Sequence, residues 1–196
     1  MRRLPLTPYA ARMSIAFKEW TFVCDALACG TQSIIIRKGG IGEGRFGFRF
    51  MHAEFLLFPT HFHEQVAKLK LPPGTKLPEM RMDSMCEVTL RARVEWTQDV
   101  TDLDVLRRLA PFHIWQDSEI EKRFRYEEEK GNTGVSVAFI RVEKMSAPFV
   151  FPDYPQFGGC RSWIDLPEPP GSVTFSPVLD DATHRGREAA IRAVLA

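Results

Sequence analysis

Between Ser33 and Gln65 the chain reads SIIIRKGGIGEGRFGFRFMHAEFLLFPTHFHEQ, two apolar runs separated by a glycine-rich stretch. Glycines at 39, 40, 42, 44 and 47 make Gly39 to Gly47 a loop with unusual backbone angles. Ile34-Ile35-Ile36 is β-branched and bounded by turn formers, which predicts a strand. Phe55 to Phe58 is a continuous apolar run of the kind found in a central strand, with Pro59 expected to end it. Phe46, Phe48 and Phe50 alternate with Gly47 and Arg49 and predict a further strand.

The clearest half-buried strand runs from Cys86 to Trp96. Val88, Leu90, Ala92, Val94 and Trp96 fall on one face and Arg91, Arg93 and Glu95 on the other. Val135 to Val142 is another strand. Ile15 to Ala28 places Phe17, Trp20, Val23, Cys24 and Leu27 at helical spacing, with Ser14 as cap and Gly30 as stop. Thr60 is expected to cap a helix from His61 to Leu69. Thr101 caps one carrying Leu103, Leu106 and Leu109. Asp117 caps one with Ile120 and Phe124 inward and Arg123 among the outward charges. After Met145 the prolines at 148, 152, 155, 167, 169, 170 and 177 argue against long regular structure. Strands and helices mix without regular βαβ alternation. The expected class is α+β, a single domain with a mainly antiparallel, curved sheet flanked by short helices.

The 196 residues are enough to bury a real core. The expected organisation is a loose arm over residues 1–13, one domain over 14–166, and an extension over 167–196 ending in a helix at Arg187 to Leu195. Met13 is a second candidate for the start of translation. Net charge is +1, so the whole chain is no electrostatic magnet for nucleic acid, yet residues 1–50 hold eight Lys or Arg against three acids. A local basic patch follows. The four cysteines form no CxxC pair, which excludes the common structural zinc spacings. No apolar run reaches membrane-spanning length, and a reducing, cytoplasmic setting is expected.

Three candidate chemistries come from the residues. Arg37, Lys38, Gly39, Gly40 and Arg49 combine exposed backbone N–H groups with cations and suit a phosphate. The order of a P-loop is absent, and so is the dinucleotide fingerprint. His113 and Trp115, with Arg123 on the following helix, offer an aromatic–cation lining for a ligand groove. His52, His61 and His63, with Glu54 and Glu64, are metal-ligand types. On a helix His61 and His63 diverge, whereas His52 and Glu54 share a strand face, leaving His52, Glu54 and His63 as the candidate metal set. No G-x-S-x-G supports a serine nucleophile. The only E-x-K, at Glu128 to Lys130, lies in a charged loop and speaks against a self-contained nuclease.

Five segments taken together, AFKEW at Ala16–Trp20, IIIRKGGI at Ile34–Ile41, HAEFLLFPTHFHEQ at His52–Gln65, HIW at His113–Trp115 and GCRSW at Gly159–Trp163, resemble the bacterial family known as domain of unknown function 1802. The resemblance spans about residues 14–166. Its motif positions fall on Lys38, Gly39, Gly40, His52, Glu54, Pro59, Thr60, His63, His113, Trp115 and Arg123. Some members are joined to a restriction-endonuclease-type domain, so the resemblance implies a nucleic-acid or defence context with a restriction-type partner. The leading expectation is a non-catalytic module binding nucleic acid or a nucleotide through phosphate. The alternatives are a small metal-dependent hydrolase and a protein-interaction scaffold.

Overall fold

The computed structural model describes residues 13–38, 48–61, 64–78, 84–126 and 133–196. The fold is an open seven-stranded sheet with short helices, in one domain. Its elements are β1 (Met13–Trp20), α1 (Thr21–Ala28), β2 (Ile34–Arg37), β3 (Glu54–Thr60), α2 (Gln65–Lys68), β4 (Met85–Val100), α3 (Leu103–Arg108), α4 (Asp117–Arg125), β5 (Val135–Pro152), β6 (Trp163–Pro167), β7 (Phe175–Pro177) and α5 (Asp181–Leu195). The strand order is β2-β5-β4-β3-β1-β6, with β7 pairing to β5. Every ladder is antiparallel except β1 with β3. The expected α+β class with a mainly antiparallel sheet is what the chain adopts.

Both faces of the sheet are covered. In β1 and β3, Phe17, Phe55 and Leu57 enter one core, while the alternate residues Ala16, Leu56 and Phe58 enter a second. In β4, Val88 belongs to the second core and Leu90 and Ala92 to the first. Residues of equal parity change face there because the register with β5 shifts between Val88 and Leu90. On β5, residues 145–148 fall within that shift, so Pro148 sits at an irregularity where it removes no ladder bond. The strand therefore continues to Pro152, past prolines expected to prevent it.

The predicted helix at Ile15–Ala28 is half strand. β1 lies between β3 and β6. Buried on both faces, its apolar residues lack alternation, and the run Phe17, Trp20, Val23, Cys24, Leu27 imitates a helical stripe. Ser14 is thus a strand residue. The predicted helix His61–Leu69 is reduced to α2, whose N-cap residue is Glu64 without a side-chain cap, and the Thr60 hydroxyl donates to the Glu19 carbonyl, 3.0 Å away. Residues 48–50 are not in a strand, and Phe46 and Gly47 lie outside the described residues. Asp102, not Thr101, caps α3, accepting from the backbone N–H groups of Asp104 and Val105 at 2.8 and 3.2 Å. The C-terminal stretch contributes β7 and a full α5, whose Ile191 is wholly buried in the first core. His184 on α5 meets Glu95 at 3.0 Å. No helix among the described residues is long and apolar enough to cross a membrane.

Candidate functional site

β1 ends beside β3, with Trp20 opposite Thr60. The chain turns directly into α1, and two hydroxyls close the junction. Thr60 donates to the Glu19 carbonyl and Thr21 donates to the Thr60 carbonyl, both at 3.0 Å. Because successive strand residues point to opposite faces, Glu19 and Lys18 serve different neighbourhoods.

On the Glu19 side lies a packed polar knot. Glu19 is 1% exposed and its Oε2 pairs with Arg37 Nη2 at 3.3 Å. Arg37 also donates to the Lys18 carbonyl and lies 4.6 Å from the Phe17 ring centroid. Lys38 Nζ donates to the carbonyls of Phe124 and Gly134 at 3.3 and 3.0 Å. Trp115 is fully buried against Trp20, ring centroids 4.5 Å apart, and the Arg123 guanidinium lies 3.7 Å from the Trp115 centroid. Burial, and next the nearby Arg37 charge, push the Arg123 guanidinium down to about 10. Arg123 therefore points inward, contrary to its expected place on the solvated face of α4. Five residues expected to line a ligand groove, Arg37, Lys38, His113, Trp115 and Arg123, gather at or beside this knot, and the polar groups of Arg37, Lys38 and Arg123 are turned toward protein atoms. Gly39 and Gly40 lie outside the described residues, and Arg49 is exposed.

His113 adjoins the knot, with Lys70, Asp117 and Arg123 as its charged neighbours. Its Nδ1 accepts the Trp115 backbone N–H at 3.2 Å, which assigns the ring proton to Nε2, and that buried atom has no partner among the described residues. Burial first, and the Lys70 charge second, push the imidazole down to about 4 from 6.5. Between those values the unfolded chain binds the proton and the folded chain does not. Stability is therefore full above pH 6.5 and falls with pH until about 4, by about 3 kcal/mol. Urea denaturation of wild type and His113→Gln across this window should show that slope in the wild type and its loss in the variant. Equal slopes would mean that the imidazole does not titrate between the two states.

Two of the three proposed metal residues, His52 and Glu54, lie in the described part of the chain. His52 packs edge-on against Trp163, ring centroids 4.9 Å apart, and Glu54 is exposed at the start of β3 opposite Arg93. His63 lies outside the described residues. No group of three potential ligands gathers among the described residues.

On the Lys18 side the surface opens into a cavity of about 790 Å³. Its walls are the β1–α1 junction (Lys18, Thr21, Asp25), the end of β3 (Phe58 to His61), the first part of β4 (Ser84 to Leu90) and the segment Asp153 to Gly158. Lys18 Nζ holds that last segment by donating to the carbonyls of Phe157 and Gly159 at 2.7 and 2.8 Å. Burial lowers the Lys18 ammonium, and burial raises the Asp25 carboxyl against the pull of His61. The Cys86 thiol is pushed up to about 12 by burial and then by the Asp153 carboxylate to which it donates, so it is no nucleophile near neutral pH. Tyr154, 45% exposed, stands edge-on to Phe157 at 5.7 Å. Of the residues singled out from sequence, Pro59, Thr60 and His61 line this cavity. Lys18, Asp25 and Tyr154 were missed, because they come together from segments more than a hundred residues apart.

Residues 16–190 match the family described as a domain of unknown function, DUF1802. The chain belongs to this family. The DUF1802 match reaches past the 14–166 span of the five resembling segments, through β7 and into α5. Among solved structures, this DUF1802 chain is similar to the ASCH protein from Zymomonas mobilis, at 13% identity and TM-score 0.43, over 90% of this chain and 93% of that one. A serine-to-alanine mutant of that protein gives 12% identity and TM-score 0.44, over 90% and 94%. No curated protein matches the sequence.

Proposed function

We propose that this protein is a non-catalytic binding module whose cavity between β1, β3, β4 and the Asp153–Gly158 segment accepts one nucleotide unit of single-stranded nucleic acid. The observation that carries the reading is the cavity itself. At about 790 Å³ it lies within the usual size range of small-molecule sites and is far too small for a duplex. Tyr154, 45% exposed and backed by the buried Phe157, gives it an aromatic ring on which a base can stack, while His61 and Asp25 supply polar contacts. The phosphate grip expected from Arg37 and Lys38 is not part of this reading, since both side chains are committed to the knot.

The test is fluorescence anisotropy with labelled eight-nucleotide single strands and a matched duplex, on wild type and Tyr154→Ala. Single strands should bind and the duplex should not compete. Loss of the half-exposed stacking ring should weaken binding about tenfold, from stacking worth roughly 1–3 kcal/mol per base, without lowering Tm. Absence of binding to any strand, or unchanged affinity in Tyr154→Ala, would remove the reading.

A further inference from the structure

Arg37 and Lys38 are committed to the knot, yet a strand whose base enters the cavity brings a phosphate to its mouth. The loop from Gly158 to Ser162 lies there, with Gly158 in the cavity wall and both ends of the loop tied to Lys18. Lys18 Nζ donates to the Gly159 carbonyl at 2.8 Å, and the Lys18 backbone N–H donates to the Ser162 carbonyl at 2.8 Å. Gly159, at φ +79°, reverses the chain in the left-handed region that favours glycine. Cys160 and Arg161 form the exposed tip between the two ties. A trans peptide points its C=O and its N–H in opposite directions. Because the Gly159 carbonyl is turned onto Lys18, the Cys160 N–H is turned away from it, and that N–H has no acceptor among the described residues. The Arg161 guanidinium makes no hydrogen bond or ion pair among the described residues. Its charge acts on the Lys18 ammonium more strongly than the Asp153 carboxylate does.

Building on the binding reading above, we infer that Arg161, with the Cys160 backbone N–H beside it, holds a phosphodiester of the strand at the mouth of the cavity. A guanidinium next to a free amide N–H suits the unesterified oxygens of that group. The carbonyls of Phe157, Gly159 and Ser162, which would oppose an anion, are all turned onto Lys18. Lys18 is therefore a positioning residue, which shapes the loop without meeting the phosphate. The tip is exposed, so the phosphate keeps water on its outer side and little desolvation opposes binding. Every linkage of a strand offers the same group, and the contact fixes where the strand lies without reading its sequence.

The experiment is the anisotropy titration with eight-nucleotide single strands, repeated from low to moderate salt on wild type, Arg161→Gln and Arg161→Lys, with Tm measured for each. Arg161→Gln should weaken binding about fivefold at low salt, as expected for an exposed charge contact. It should also lower the slope of log affinity against log salt by about 0.7, the share of one single-strand phosphate. Arg161→Lys keeps the charge and should keep the slope. Tm should stay at the wild-type value in both, because the side chain is exposed. Tyr154→Ala removes stacking rather than a phosphate contact, so it should weaken binding with the slope unchanged. Wild-type affinity and slope in Arg161→Gln would overturn the phosphate assignment while leaving the binding module intact. A slope lowered equally in Arg161→Lys would overturn the role of the charge. No binding of any strand by the wild type would instead overturn the reading beneath.

Discussion

Trp115→Ala is expected to lower unfolding stability by about 3–5 kcal/mol, the range for deleting a fully buried large aromatic side chain. The site has little freedom to collapse around the void. Trp115 is 0% exposed, its ring meets Trp20, and the Arg123 guanidinium covers it at 3.7 Å. Its backbone bridges to Leu69, and the neighbouring Gln116 donates both its backbone N–H and its side-chain amide to the carbonyls of Lys68 and Leu69, each at 3.0 Å. Losing the ring removes packing, and it removes a desolvated cation–π contact of about 2 kcal/mol. Trp115→Phe keeps a face for Arg123 and should recover roughly half of the loss. Urea denaturation measures both. A loss below about 1 kcal/mol in Trp115→Ala would mean that the Trp20–Trp115–Arg123 stack does not anchor α4. A double-mutant cycle with Arg123→Met should show coupling between the two sites, because they touch.

The knot also explains what the sequence could and could not convey. The strands Ile34–Arg37, Glu54–Thr60 and Met85–Val100 were legible because β-branched or alternating runs are local signals. The helix β1 was expected to be failed for a nonlocal reason. Its pairing with β3 and β6 buries both faces, and a doubly buried strand carries no period of two. The same cause hid the inward turn of Arg123. A charged residue on an amphipathic helix belongs outside by default, and the Trp115 ring, eight positions earlier, makes burial tolerable together with Glu119 at 3.7 Å and the Ile36 carbonyl at 3.5 Å. The basic residues Arg37 and Lys38 were conspicuous in sequence, but their partners, Glu19 and the carbonyls of Phe124 and Gly134, are set by the fold. The cavity was the least legible feature. Lys18 and Asp25 flank one strand–helix junction, while Tyr154 and Phe157 arrive from the far end of the longest strand.

Glu19 links these two neighbourhoods, and Glu19→Gln is expected to cost about 3–5 kcal/mol because it leaves a buried charge without its partner. The carboxylate accepts the Trp20 backbone N–H at 2.8 Å and pairs with Arg37 at 3.3 Å, and Glu19 is only 1% exposed. It also supports the protonated form of Arg123, which the Arg37 charge opposes. Without the anion, two guanidiniums share one desolvated region whose remaining counter-charge among the described residues, Glu119, pairs with Arg123 at 3.7 Å. The pair itself need not be strongly stabilising, since taking both charges from water offsets much of their attraction. Removing both should therefore be milder than removing one. Glu19→Gln combined with Arg37→Met is expected to regain most of the single-variant loss in urea denaturation. If the double variant is as unstable as the sum of the two singles, the Glu19–Arg37 contact is not the source of the cost. Because Lys18 and Glu19 occupy adjacent positions on opposite faces of β1, the single variant should also weaken strand binding, but only under conditions where it is partly unfolded. Tyr154→Ala, in contrast, should weaken binding in a fully folded protein, which separates the scaffold of the cavity from its contacts.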